Sequence, residues 1–237
     1  MLPFLDGDRN VSDLVNVVMS KRVRNSSFGM NGALSGCPQT PNRNLYEHTI
    51  GQIFMSDIYI HPTAIVSDDA SIGEGTKIWH HCHVREYAQI GRACILGKGV
   101  YIDTYVVIGD ECKIQNYACL YRGVTLENRV FVGPHVTFTN DMYPRSWLWD
   151  QDQSRKTDVK EGASIGANAT VVCGTTIGRY SMVGAGAVVT RDVPDHGLVV
   201  GNPGNLKGYV CVCGHPLEGT GPHLVCPVCN QSIKVER

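Results

Sequence analysis

Two close cysteine pairs near the C-terminus, Cys211-Val-Cys213 and Cys226-Pro-Val-Cys229, are separated by twelve residues, with Gly and Pro placed to turn each pair. Four thiolates at that spacing close a tetrahedral zinc site and leave no position for water, so the chemistry would be structural rather than catalytic. So short a segment could hardly fold without its metal. The alternative is four free thiols on a tail, and His215 or His223 could stand in for one ligand. A second cluster, His80-His81-Cys82-His83, invites the same reading and fails it, because strand alternation puts Cys82 and His83 on opposite sides of the chain. His135, three residues after Val132 and just ahead of Phe138-Thr-Asn, is placed to take a proton from an acceptor group.

The elements that must hold these residues show in a six-residue period. From Val66, every sixth residue through Ile72, Ile78, Val84, Ile90, Leu96, Ile102, Ile108, Ile114, Leu120, Leu126 and Val132 to Phe138 is apolar, thirteen in succession in a chain that is 43% hydrophobic. By chance such a run has a probability of about 10⁻⁵. The period resumes at Ile165, Val171, Ile177, Val183 and Val189. A second stripe of small or β-branched residues, from Ala70 and Thr76 to Val136, lies two before each large aliphatic, so both point to one side of a short strand. Cys82, Cys94 and Cys112 belong to this stripe. Gly73, Gly91, Gly97, Gly109, Gly133, Gly166, Gly178 and Gly184 follow the large aliphatic, where turns are expected. Such units bury their apolar residues only by stacking.

Formal net charge is -1, from 21 basic and 22 acidic residues, which offers no electrostatic footprint for nucleic acid. The first residues lack a basic n-region with an apolar run, and no later segment has membrane-span length, so a soluble cytoplasmic protein with reduced thiols is expected. Residues 1–54 lack the period. They read as an irregular N-terminal extension, or a stretch upstream of the true start, with one short amphipathic helix over Val11, Leu14, Val15 and Val18. Residues 139–163 break the period with Trp147, Trp149, Asp150 and Asp152 and read as a protruding loop. The β-helix would then span 55–205 with that insertion, and 206–237 would form the zinc-ribbon-like tail.

Five stretches carry a family resemblance: Lys113-Ile-Gln-Asn116, Phe138-Thr-Asn-Asp141, Tyr143-Pro-Arg145, Gly162-Ala-Ser-Ile-Gly-Ala-Asn-Ala-Thr170 and Val183-Gly-Ala-Gly-Ala-Val-Val-Thr-Arg-Asp-Val-Pro194. They resemble the hexapeptide-repeat acyltransferases, in particular nucleotide-sugar amine N-acetyltransferases such as those acting on UDP-2-acetamido-3-amino-2,3-dideoxy-glucuronate. The likeness runs from about Met55 to Cys213. It implies an all-β fold, a left-handed parallel β-helix with three hexapeptides per turn and about six coils. It also implies a homotrimer and acetyl-CoA as acetyl donor, with a nucleotide-linked amino sugar (UDP or dTDP) of surface-polysaccharide synthesis as acceptor.

By that resemblance Asn116, two residues after Ile114 and hence on a corner, accepts a hydrogen bond from the sugar amine and aims its lone pair at the thioester. The plainer role for Asn116 is to stabilise a tight corner. Gln115, Asn140, Asp141, Tyr143 and Arg145 are implied to bind substrate. Ala167, Ala185 and Thr190 would line the pantetheine arm and Arg191 would meet a phosphate. Relatives read Gly-Asn-Pro-Ala-Arg where this chain has Gly201-Asn-Pro-Gly-Asn205, so Lys207 is the candidate to replace that Arg. Two other readings compete: O-acetylation of a sugar or small alcohol with His135 as base, and a non-enzymatic β-helix that only assembles.

Overall fold

The computed structural model describes residues 57–148 and 155–235, and every regular element among them is a β-strand. The amphipathic helix expected over 11–18, together with Trp149, Asp150 and Asp152, lies outside the described residues. Most strands are only two residues long, because each hexapeptide spends two residues in a ladder and four in a corner. Ahead of the insertion, strands on one face pair in parallel eighteen residues apart, Ile60 with Ile78, Ile78 with Leu96, Leu96 with Ile114 and Ile114 with Val132, and across it Val132 pairs with Ile165. Three hexapeptides therefore make one turn, and the turns stack into a three-faced β-solenoid.

The first face runs from Tyr59–Ile60 to Met182–Val183, the second from Ile65–Val66 to Val188–Val189, and the third from Ser71–Ile72 to Thr176–Ile177. Both stripes seen in the sequence point inward. Ile78, Leu96, Ile102, Ile114, Leu120 and Ile165 are fully buried, and so are Cys94, Val100, Val106 and Ala118 of the second stripe. Each large aliphatic contributes about 1.5–3 kcal/mol of transfer free energy, which explains why the period admits no polar residue. The interior thiols do more than fill space. Cys82, Cys94 and Cys112 donate to the carbonyls of Gly97, Gly109 and Glu127, at 2.9, 3.1 and 3.1 Å, each fifteen residues further on.

Two expectations change. Residues 157–163, assigned to the loop, belong to the solenoid: Thr157–Val159 pairs with Val124–Leu126, and Thr157, Val159 and Ala163 are buried. The period looks broken there because the insertion shifts its phase: Val159 lies opposite Leu126 in the large-aliphatic stripe, and Thr157 opposite Val124 in the small one. The glycines after the large aliphatics are also not the turning residues. None has a left-handed φ; that conformation falls two residues later, as at Ala93, Glu111 and His135. At Gly97 the reason for glycine is close approach, since a Cβ would lie 2.5 Å from Oδ1 of Asn116 in the next coil.

The last coil ends in a turn. Gly197–Val200 joins the first face in parallel, and Asn205–Tyr209 returns antiparallel against it. The tail follows, as a hairpin of His223–Val225 and Ser232–Lys234 over a small core of Tyr209, Leu224 and Val235.

Candidate active site and metal centre

Corners stack as strictly as strands do. At the corner between the first and second faces, main-chain N–H groups of Gly99, Tyr117, His135, Asn168 and Gly186 donate to the carbonyls of His80, Lys98, Asn116, Pro134 and Ala167 in the preceding coils, at 2.8–3.0 Å. This ladder aligns His80, Lys98, Asn116, Pro134, Ala167 and Ala185 in one column. Four predicted site residues, Gln115, Asn116, Ala167 and Ala185, thus share a single edge of the solenoid, with His135 in the adjoining column. The His135 ring is exposed and stacks on Tyr117, with centroids 5.2 Å apart at 21°. Gly99 permits that column, because a Cβ there would lie 2.5 Å from the Tyr117 ring.

Asn116 is exposed but not idle. Its Oδ1 accepts from the N–H of Lys98 at 2.9 Å. The same device recurs at the corner between the third and first faces, where Asp110, Asn128 and Asp195 accept from the N–H groups of Arg92, Asp110 and Arg179 at 2.8, 2.8 and 2.7 Å. Asn116 therefore holds its corner, and one carbonyl lone pair and the amide nitrogen remain for a ligand.

The other predicted contacts emerge elsewhere. Asn140, Asp141, Tyr143 and Arg145 follow the second-face strand Thr137–Phe138, and Thr190 and Arg191 follow Val188–Val189 on that same face. Within one chain they are separated from Asn116 by the second face. Asp141 accepts from the N–H of Tyr143 at 2.8 Å, and Tyr143 is 75% exposed. Arg191 and Asn205 line one recess of about 110 Å³. Lys207 lies in a different depression beside Tyr209 and Leu217, and the structure does not bring it to the recess of Arg191.

Sequence reasoning missed a cluster on this second corner. Asp103, 8% exposed, accepts from Arg85 Nη1 at 3.1 Å, the Tyr101 hydroxyl at 3.2 Å and the N–H groups of Thr104 and Arg122 at 2.8 and 3.2 Å. The available signal was its phase: Asp103 follows Ile102 at the start of a corner. His61 was missed as well, and its ring stacks on His80 with centroids 3.5 Å apart. Cys82 points inward to Gly97, so the histidine run does not converge on an ion.

In the tail, Cys211, Cys213, Cys226 and Cys229 bring their sulfurs within 4.8 Å of one another, the one group among the described residues that could share a metal ion. The Sγ separations are 3.5 Å for Cys211–Cys229, 3.6 Å for Cys213–Cys226 and 3.7 Å for Cys213–Cys229. Zn–S bonds of about 2.3 Å at tetrahedral angles place sulfurs about 3.8 Å apart, so the donor set fits zinc. His223 is instead a strand residue paired with Lys234.

Known proteins resemble much of this chain. The model for "Bacterial transferase hexapeptide (six repeats)" matches residues 69–104, 105–140 and 156–191. The dTDP-3-amino-3,6-dideoxy-alpha-D-galactopyranose 3-N-acetyltransferase of Aneurinibacillus thermoaerophilus is 45% identical over 176 residues, 74% of this chain and 90% of that protein. This chain belongs to the hexapeptide-repeat acyltransferases. Serine acetyltransferase 4 of Arabidopsis thaliana is 35% identical over 120 residues, 50% of this chain but 28% of its own length. A GDP-perosamine N-acetyltransferase variant from Caulobacter crescentus, solved with CoA and GDP-perosamine, is 28% identical over 64% of this chain and 56% of that one, with a TM-score of 0.42.

Membership in the acyltransferases sets aside the reading of a β-helix that only assembles. An acyltransferase must bring a thioester carbonyl and a nucleophile to one point. The first corner offers a polar, side-chain-rich stretch from His80 to His135 directly above a stretch of Gly and Ala, from Gly166 to Gly186, where a long flexible arm can lie against main chain. No helix among the described residues is long and apolar enough to cross a membrane.

Proposed function

We propose that this acyltransferase moves the acetyl group of acetyl-CoA to the amine of a nucleotide-linked amino sugar, a UDP- or dTDP-sugar of surface-polysaccharide synthesis. The observation that carries the reading is the 45% identity to a dTDP-amino-sugar N-acetyltransferase over 90% of that relative's length. The amine lone pair attacks the thioester carbonyl, a C–N bond forms, the C–S bond breaks, and the nitrogen's proton ends on the departing thiol. Asn116 orients the amine through its remaining carbonyl lone pair. His135 receives the proton and passes it to sulfur. A thiolate is a tolerable leaving group, so positioning supplies much of the rate. Ala167, Ala185 and Thr190 accommodate the pantetheine arm, and Arg191 pairs with a phosphate.

Asn116 and the segment bearing Asn140, Asp141, Tyr143 and Arg145 serve one site only when contributed by neighbouring solenoids. That supports a homotrimer, with the corner of one chain facing the insertion of the next. The four-cysteine centre holds one structural zinc. The interior thiols, bonded to carbonyls rather than oxidised, fit the reducing cytoplasm.

Thiol release from acetyl-CoA, measured with a panel of UDP- and dTDP-amino sugars against their hydroxyl counterparts, tests the function. Turnover with amino sugars alone is expected. Faster turnover with hydroxyl acceptors would favour O-acetylation with His135 as base, the second reading that the exposed His135 ring keeps open.

A further inference from the structure

The first-corner column continues past Asn116 toward the start of the solenoid, into a part of the surface with no role so far. There Trp79, His80, Lys98, Gln115 and Asn116 line a shallow depression of about 300 Å³. Trp79 is 39% exposed. Its orientation is set by Tyr59, with centroids 5.4 Å apart at 57°, and by His80, 6.2 Å away and nearly parallel at 6°. A ring fixed in advance loses little freedom when a ligand stacks on it. Lys98 has no ion-pair partner among the described residues, and its Nζ lies 5.8 Å from the Tyr117 ring centroid, on the side of the column that carries Asn116 and His135.

Resting on the proposed function, we infer that this depression is the nucleotide end of the acceptor site, with Trp79 stacking the base and Lys98 pairing with the diphosphate. The order along the column is the reason. Successive coils are about 4.8 Å apart, which puts Lys98 about 5 Å and the Trp79 level about 10 Å from the level of Asn116. Read along the axis, an aromatic ring, a lone ammonium, an amide, an imidazole and then a Gly/Ala track follow one another. A nucleotide sugar approaching a thioester has the same sequence of parts: base, diphosphate, sugar amine, reacting carbonyl and pantetheine arm. In the reverse orientation the diphosphate would face the Ala167 and Ala185 levels, which carry no charged side chain in this column.

Calorimetric titration of the intact protein with UDP, dTDP and coenzyme A tests the inference. Trp79→Ala is expected to weaken binding of the preferred nucleotide at least about tenfold, the loss of one stacked base, whereas Trp79→Phe keeps most of the affinity. Lys98→Gln should weaken it about fivefold at low ionic strength and less at high salt. Coenzyme A affinity, read at coils two and three below Asn116, should stay at the wild-type value in all three variants. Unchanged nucleotide affinity in Trp79→Ala and Lys98→Gln would overturn the inference, as would a wild-type protein that binds neither nucleotide. If the wild type acetylates a nucleotide-linked amino sugar and neither substitution moves its KM, the inference falls while the proposed function stands. Wild-type protein that acetylates no such sugar defeats the function itself.

Discussion

The main-chain N–H of His135 donates to the carbonyl oxygen of Asn116 at 3.0 Å, so the two residues proposed for catalysis are bonded through their backbones across adjacent coils. Neither can shift along the solenoid axis without the other. Lys98 extends the same chain of contacts, because its N–H is held by Asn116 Oδ1.

Asn116→Ala is therefore expected to have two effects. Turnover should fall at least about tenfold through loss of amine positioning. Stability should fall by about 0.5–1.5 kcal/mol, a few degrees in Tm, through loss of the bond to Lys98. Asn128 makes the equivalent bond to the N–H of Asp110 on a corner with no proposed site. Asn128→Ala should match the stability loss and keep full turnover, and equal turnover losses in the two variants would reduce Asn116 to a corner residue.

Substituting His135 must respect its left-handed backbone, φ 58°. Asn tolerates that region, so His135→Asn isolates the imidazole. If His135 carries the proton, kcat falls about a hundredfold or more with acetyl-CoA KM little changed. A drop smaller than threefold would leave proton transfer to solvent.

One zinc per chain is expected from elemental analysis of metal-replete protein. Cys226→Ser should reduce the bound metal to well below one equivalent and raise hydrogen exchange in residues 209–235, because that small core closes only around the metal. Full zinc content in Cys226→Ser, or wild-type protein with almost none, would reject the site.

Mixed subunits report on shared sites. Asn116→Ala chains and Arg191→Ala chains, each inactive alone, should regain activity when unfolded together and reassembled, since some sites in mixed trimers draw both intact residues from different chains. A trimer without such rescue assigns both residues to the same subunit at each site. A fully active monomer by light scattering would end the shared-site scheme.

Acid should loosen the corner between the third and first faces. The Arg92 guanidinium and N–H beside Asp110 hold its carboxyl below the usual carboxylate range. At Glu127 burial works the other way, yet the N–H of Glu161 and the Lys160 ammonium keep that carboxyl low as well. A depressed folded-state value contributes stability at neutral pH that is lost as pH falls through it, below about pH 4. Asp110→Asn preserves an oxygen for the Arg92 N–H but cannot titrate, so its Tm should fall less steeply in acid. High salt should shrink the difference, since these groups are partly exposed to solvent. An acid slope identical to wild type would show that this corner does not govern acid stability.

The six-residue apolar period was sufficient to specify the repeat and its core, because an interior only a few side chains wide tolerates no exception at Ile78, Leu96 or Ile114, whereas three repeats per coil came from the family resemblance. The cysteine spacing likewise announced a four-thiol cluster, since close pairs impose their own turns. What the linear order hid was lateral neighbourhood. Lys98, Asn116 and Ala167 are far apart in sequence and become one column only when eighteen-residue turns stack in register, with a fifteen-residue phase shift at the insertion. Stacking also explained features that the sequence presented misleadingly: Gly97 is glycine because Asn116 lies against it, and Thr157 continues the small-residue stripe opposite Val124. Hydrogen bonds between coils decide these matters, and their partners are set by the third dimension rather than by proximity along the chain.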